Sequence, residues 1–163
     1  MATNKVLDYF GASTAFTITL AGLASSVAGV GQQSTLLDNK DAGSRGHRRA
    51  LVFFKITLGA NPTANKSVAF YLIRGDDHGT PSRTDAAGAN DAGLTVKNAQ
   101  CCYVAQNITA VTGEVVQGEF VIENLGPEWG IAVVHDTAVN LDADAGDHHV
   151  RYVYIDDDIQ AAA

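Results

Sequence analysis

The sequence predicts an all-β chain, a single antiparallel β-sandwich of jelly-roll-like winding. Three observations lead there. Apolar residues recur at every second position in segment after segment. Clusters of Gly, Pro, Asn and Asp separate those segments. No segment longer than ten residues carries a clean helical period, so antiparallel strands joined by loops are the economical arrangement.

The elements follow in order. Phe16, Ile18 and Leu20 alternate with Thr17 and Thr19, which predicts a strand over about 15–21. A short strand is possible near 34–38. Phe54, Ile56 and Leu58 alternate with Lys55 and Thr57, predicting 50–59. Val68, Phe70 and Leu72 share one face with Tyr71 on the other, predicting 66–74. Further strands are expected over 94–105 and over 115–124, where Phe120 and Ile122 alternate with Glu119, Val121 and Glu123. Trp129, Ile131 and Val133 alternate with Gly130 and Ala132, predicting 129–135. Val150, Tyr152 and Tyr154 alternate with Arg151 and Val153, predicting 148–155. Most of these runs are rich in β-branched and aromatic residues, which suit a pleated surface. The breaks are Gly59–Asn65, the polar stretch opened by Gly75–Pro81, Asn124–Pro127 and Asp136–Asp147. The expected organisation is an N-terminal arm or edge strand (1–14), a sandwich domain (15–155) and a charged, small-residue tail (156–163).

The chain has 163 residues, enough for one domain that buries its core without disulfides or metal. It carries 18 acidic against 11 basic residues, a net charge of −7, which disfavours a general nucleic-acid binder. The run Arg45-Gly-His-Arg-Arg49 is either a solvated loop or a contact for an acidic partner. Adjacent Cys101 and Cys102 point to opposite faces of a strand and cannot readily bond to each other. The apolar stretch Ala15–Val30 is interrupted by Thr, Ser and Gly and is too short and polar to span a bilayer, so neither an export signal nor a membrane anchor is expected.

Catalytic patterns are weak. No Gly-x-Ser-x-Gly elbow, phosphate-binding loop or known cysteine-nucleophile setting occurs. Asp142, Asp144 and Asp147 have calcium-like spacing, but Val153 stands where a closing acidic ligand belongs, so a solvated hairpin loop is the better reading. His148 and His149 face opposite ways, and a zinc site shared with Asp76, Asp77 and His78 matches no known spacing. Glu119, Glu123 and Glu128 are the carboxylates that glycoside hydrolysis would use, with a solvated strand face as the plainer account. Trp129 is read as core or interface rather than as a sugar platform. No catalytic residue, metal site or cofactor is assigned, and no enzyme activity is expected.

Four pieces carry a resemblance: Ala15–Leu20 with its Ala/Gly/Ser continuation, Val68–Gly75, Ile122–Val134 and His149–Tyr154. In this order they resemble small β-sandwich structural proteins of tailed-bacteriophage virions, the group that includes capsid decoration, or cement, proteins. The resemblance implies a protein made in the host cytoplasm and placed on the capsid exterior. Its partners there would be the major capsid protein and copies of itself as a dimer or trimer, with no specific nucleic acid and no membrane. Another virion component (tail, collar or fibre) and a carbohydrate- or surface-binding module stay open as alternatives. For the assembly role the interface candidates are Tyr9 and Phe10 in the arm, Arg45, Arg48 and Arg49 in the basic loop, and Ile159 in the tail.

Overall fold

A computed structural model describes residues 5–40, 46–76, 81–106 and 108–160. Two antiparallel sheets pack face to face as a β-sandwich, and among the described residues the only helical elements are two 3₁₀ turns. Sheet A contains β1 (Lys5–Phe10), β2 (Thr14–Ala15), β5 (Arg49–Thr57), β9 (Val115–Glu123) and β11 (His149–Gln160). Sheet B contains β3 (Val30–Gln33), β4 (Leu37–Asp38), β6 (Val68–Gly75), β7 (Ala92–Thr95), β8 (Gln100–Ala105) and β10 (Glu128–His135).

The pairs are nested: β2 with β11, β3 with β10, β5 with β9 and β6 with β8. The chain is therefore one long antiparallel ribbon folded back on itself. Rolling it brings β11 against β5 and β10 against β6.

The period-2 pattern explains the core. Val52, Phe54 and Ile56 of β5 point inward with Val150 and Tyr152 of β11 and Phe120 and Ile122 of β9. They meet Phe70 and Leu72 of β6 and Trp129, Ile131 and Val133 of β10. Aromatic rings knit the layers: Phe54, Phe70, Tyr103 and Phe120 form one cluster. Phe16, Trp129, Tyr152 and Tyr154 form another. Trp129 is 0% exposed and its Nε1–H donates to the Tyr154 hydroxyl at 3.2 Å. It is a core residue, as read from its strand, and cannot act as a sugar platform.

A second small core lies on the outer face of sheet B. Ile73, Ala132 and, from the edge strand β7, Leu94 meet Leu36 and Ala87 from segments crossing it. Asp85 pins this cover by accepting from the backbone N–H groups of Lys97, Asn98 and Ala99 at 2.8–3.0 Å. Burial pushes the Asp85 carboxyl up, but those hydrogen bonds outweigh it and hold it below the usual carboxylate range.

Several sequence expectations are corrected. Only Ala15 of the expected strand 15–21 is strand, at the end of the two-residue β2. Residues 16–26 instead cross from sheet A to sheet B, tied by Phe16 N–H to Val150 O, Gly22 N–H to Asp142 O and Ser26 N–H to His135 O. Phe16 and Leu20 still enter the core. The expected strand 94–105 is two strands, split where Lys97–Ala99 turn around Asp85. The segment expected to be a tail continues β11 as far as Gln160. Of the two readings offered for residues 1–14, arm or edge strand, the described Lys5–Phe10 is the edge strand that pairs with it.

Candidate interaction site at the terminal ribbon

β5 and β9 stop at Arg49 and Glu123, whereas β11 runs on to Gln160 beside β1. The two ends of the described chain thus form a two-stranded ribbon projecting past the corner of sheet A. Its register pairs Phe10 with Ile155, Tyr9 with Asp156, Asp8 with Asp157 and Val6 with Ile159.

Side chains of the 46–49 segment anchor its base. The His47 ring stacks on Tyr154 with centroids 3.7 Å apart, and its Nδ1 lies 2.8 Å from Asp156 Oδ2. Tyr154 is itself held by Trp129, and burial pushes its phenol up to about 12, so it stays neutral and bonded. Arg49 bridges both ribbon strands, its guanidinium donating to Asp8 at 2.8 Å and to Asp157 at 2.7 Å. The hydrogen bond to Asp8, with the charge of both carboxylates, raises the Arg49 pKa further and keeps it cationic. Next to it Arg48 is exposed and forms no ion pair among the described residues. A recess of about 290 Å³ opens between Gly46–Arg49 and Ile155–Asp157. Tyr9 and Phe10 are 61% and 56% exposed on opposite faces of the ribbon.

The structure therefore brings together Tyr9, Phe10, Arg48 and Arg49, and it places the Ile159 backbone in the same ribbon. Arg45 lies outside the described residues. Arg49 places its charge between Asp8 and Asp157 of its own chain, whereas Arg48 forms no ion pair among the described residues. His47, Asp156 and Asp157 are neighbours of this candidate site that sequence reading missed. Three successive aspartates gave the signal, but their arginine and histidine partners lie more than a hundred residues away.

The chemical candidates do not converge. Glu119 and Glu123 lie on the outer face of sheet A, while Glu128 faces out from sheet B and forms a two-toothed ion pair with Arg83 at 2.7 and 2.9 Å. The Asp142 and Asp144 carboxylates accept from the backbone N–H of Asp144 and Gly146, both at 2.8 Å, as turn-forming aspartates do. Among the described residues no three His, Cys, Asp or Glu side chains are grouped to hold a metal ion. Asp77 and His78 lie outside those residues. Cys101 is exposed, and burial pushes the Cys102 thiol up to about 11, leaving it protonated at neutral pH. Among the described residues no helix is long and apolar enough to cross a membrane.

Exposed aromatics beside an outward arginine, on a base held rigid by core contacts, have the composition of a protein-contact surface. No family model, no curated protein and no solved structure matches the chain.

Proposed function

We propose that this chain is a non-enzymatic structural protein of a virion, a capsid decoration protein that binds the major capsid protein lattice. The observation that carries the reading is that exposed Tyr9 and Phe10, on the two faces of the ribbon, share one corner with Arg48, which lies about forty residues away in sequence and lines a recess with Asp8 and Asp157. The nested strand pairing also supports the jelly-roll reading of the sandwich. The choice of a capsid as the partner comes from the sequence resemblance. In this function the ribbon and its corner lie against capsid subunits, and Arg48 meets an acidic group there.

Cosedimentation with purified expanded capsids tests it. The wild-type chain pellets with capsids in a saturable way. A Tyr9→Ser, Arg48→Glu double variant binds about tenfold or more weakly, because truncated aromatic and arginine anchors dominate such contacts. Its melting temperature stays near that of the wild type, since both side chains are exposed. A wild-type chain that ignores capsids, or a double variant that binds as well as the wild type, overturns the proposal.

A further inference from the structure

The edge strands of a sheet leave backbone N–H and C=O groups without ladder partners, and proteins ordinarily shorten, bulge or charge such edges against pairing with another chain. Three of the four edges here follow that rule. β7 has four residues, β8 is broken by a register shift opposite Phe70 and Tyr71, and β1 carries the Asp8–Arg49 ion pair. β9 is different. It pairs with β5 over nine consecutive positions without a shift and contains no Pro. Its inward residues are apolar: Val116, Phe120 and Ile122 face the core, with Phe54 against Gly118. β8 touches it from the core side, where Tyr103 stacks on Phe120. Among the described residues no strand pairs with its free edge.

Hydrogen bonds at the two ends of β9 fix which groups that edge presents. Leu58 N–H donates to Glu114 O, and Asn124 N–H donates to Arg48 O, each at 2.8 Å. Hydrogen-bonded and non-hydrogen-bonded pairs alternate along an antiparallel ladder. In the observed register the even-numbered residues of β9 therefore bond to β5. The N–H and C=O groups of Val115, Gln117, Glu119, Val121 and Glu123 point off the sheet. Glu123 agrees, because its carbonyl accepts from Arg74 Nη2 at 3.2 Å. Arg74 closes that end of the edge and leaves Val115 to Val121 open.

The open stretch is complementary to itself. Two copies related by a two-fold axis perpendicular to the sheet run antiparallel, and outward residues must meet outward residues for their backbones to bond. An axis at Gly118 pairs Val115 with Val121 and Gln117 with Glu119, each twice by symmetry. The two valines are 46% and 51% exposed in the single chain. Glu119 is the one charged side chain in the span, and the Gln117 amide is placed to donate to it. Lys55 stands beside Gln117 on β5, shared with Asp147 at 3.8 Å. The two Glu119 carboxylates are only diagonal neighbours, about 7–8 Å apart along the backbone. An axis at Glu119 would set that carboxylate directly against its copy, and an axis at Gln117 would set Val115 against Glu119.

We propose that the open edge of β9 is a self-association site, where β9 of a second copy pairs antiparallel about a two-fold axis at Gly118 and joins two copies of sheet A into one continuous sheet. Four residue pairs exchange two backbone hydrogen bonds each, about eight in all, against about ten direct hydrogen bonds in a typical interface. Strand addition draws its affinity from such main-chain bonds rather than from broad buried area, so the dimer depends on concentration. The inference deepens the assembly reading by naming its self-contact, and rests on that reading only for its biological purpose.

Light scattering on a size-exclusion column, over a concentration series, is the test. The wild-type chain moves from the mass of one chain towards that of two as concentration rises. Glu119→Pro removes an N–H that β5 does not use, so it blocks the edge and leaves β9 in place. This variant stays monomeric with the circular dichroism of the wild type. Gln117→Glu sets like charges opposite each other at two places and weakens the dimer about tenfold. Adding Glu119→Gln to it exchanges the two partners and restores the dimer at unchanged composition. A wild-type chain that is monomeric throughout overturns the inference. So does a dimer that is as tight in Gln117→Glu, or a double variant that fails to recover, because a different surface would then hold the copies together. Capsid cosedimentation separates the two proposals: dimers that ignore capsids overturn only the decoration reading, and a monomeric wild type that binds capsids overturns only the self-contact.

Discussion

His135 shows how one buried side chain makes stability depend on pH. It ends β10, and its ring is almost wholly enclosed. Nε2 lies 3.0 Å from the Leu23 carbonyl, which can only accept, so Nε2 carries the proton. In the neutral ring Nδ1 is an acceptor 2.9 Å from the Thr137 hydroxyl, whose single proton it shares with the Val139 carbonyl at 3.2 Å. Burial lowers the His135 pKa, outweighing the Leu23 hydrogen bond and the nearby Asp136 charge that raise it. The sign follows directly. The unfolded chain takes up the proton at about pH 6.5, before the folded chain does. Stability is therefore fully present above pH 6.5 and is lost as pH falls from there towards the folded pKa. Melting followed from pH 7.5 to 5.5 should show a falling midpoint, and His135→Gln should flatten that slope. Equal slopes in both proteins would assign the effect to other groups.

At the scale of elements, β3 is held by shape rather than by apolar content. Its sequence, Val-Gly-Gln-Gln, has no alternation, and no strand was expected there. Gln33 is buried all the same, its amide donating to the carbonyls of Gly88 and Asn90 at 2.7 and 2.8 Å. Gly31 explains the close approach to β10. A Cβ at this position would collide with the Val133 carbonyl oxygen and lie 2.7 Å from Val134 Cγ2. Backbone cannot yield as a flexible side chain can, so Gly31→Ala should destabilise by about 1–3 kcal/mol or more. Gly88→Ala is the control: its nearest neighbours are 3.9 and 4.0 Å away, and it should be nearly neutral. Chemical denaturation of the two variants checks this, with equal midpoints as the failing result. Such a strand was not legible in the sequence because the acceptors of the Gln33 amide, Gly88 and Asn90, are more than fifty residues away. The strands at 49–57, 68–75, 115–123 and 128–135 were legible, because each carries its own inward face.

For the whole molecule, nested pairing makes most contacts long-range and joins the first strands to the last. β1 and β2 both use β11, but they contribute differently. β2 leads directly into Phe16, which packs against Trp129 and Tyr152. β1 presents Tyr9 and Phe10 to solvent and sits at the edge of sheet A. Removing residues 1–10 should therefore lower the melting temperature by only a few degrees and preserve one cooperative transition. Phe16→Ala should cost about 3–5 kcal/mol, as large-to-small core changes do. Calorimetry distinguishes them. A truncated chain that loses cooperativity would place β1 within the folding unit rather than on it.

The sequence by itself determined that the chain is a β-sandwich and which side chains enter its main core, including Phe54, Phe70, Phe120 and Trp129. Alternation records that the two sides of a strand differ, and burial of one side follows from the hydrophobic effect. It does not record what lies over the other side. Val121 between Glu119 and Glu123 reads as one apolar residue on a polar face until β5 and β11 set Leu51 and Val153 beside it. Arg49 reads as a free cation until β1 and β11 bring Asp8 and Asp157 to it. These neighbours come from distant parts of the chain, and only the rolled topology decides that they meet.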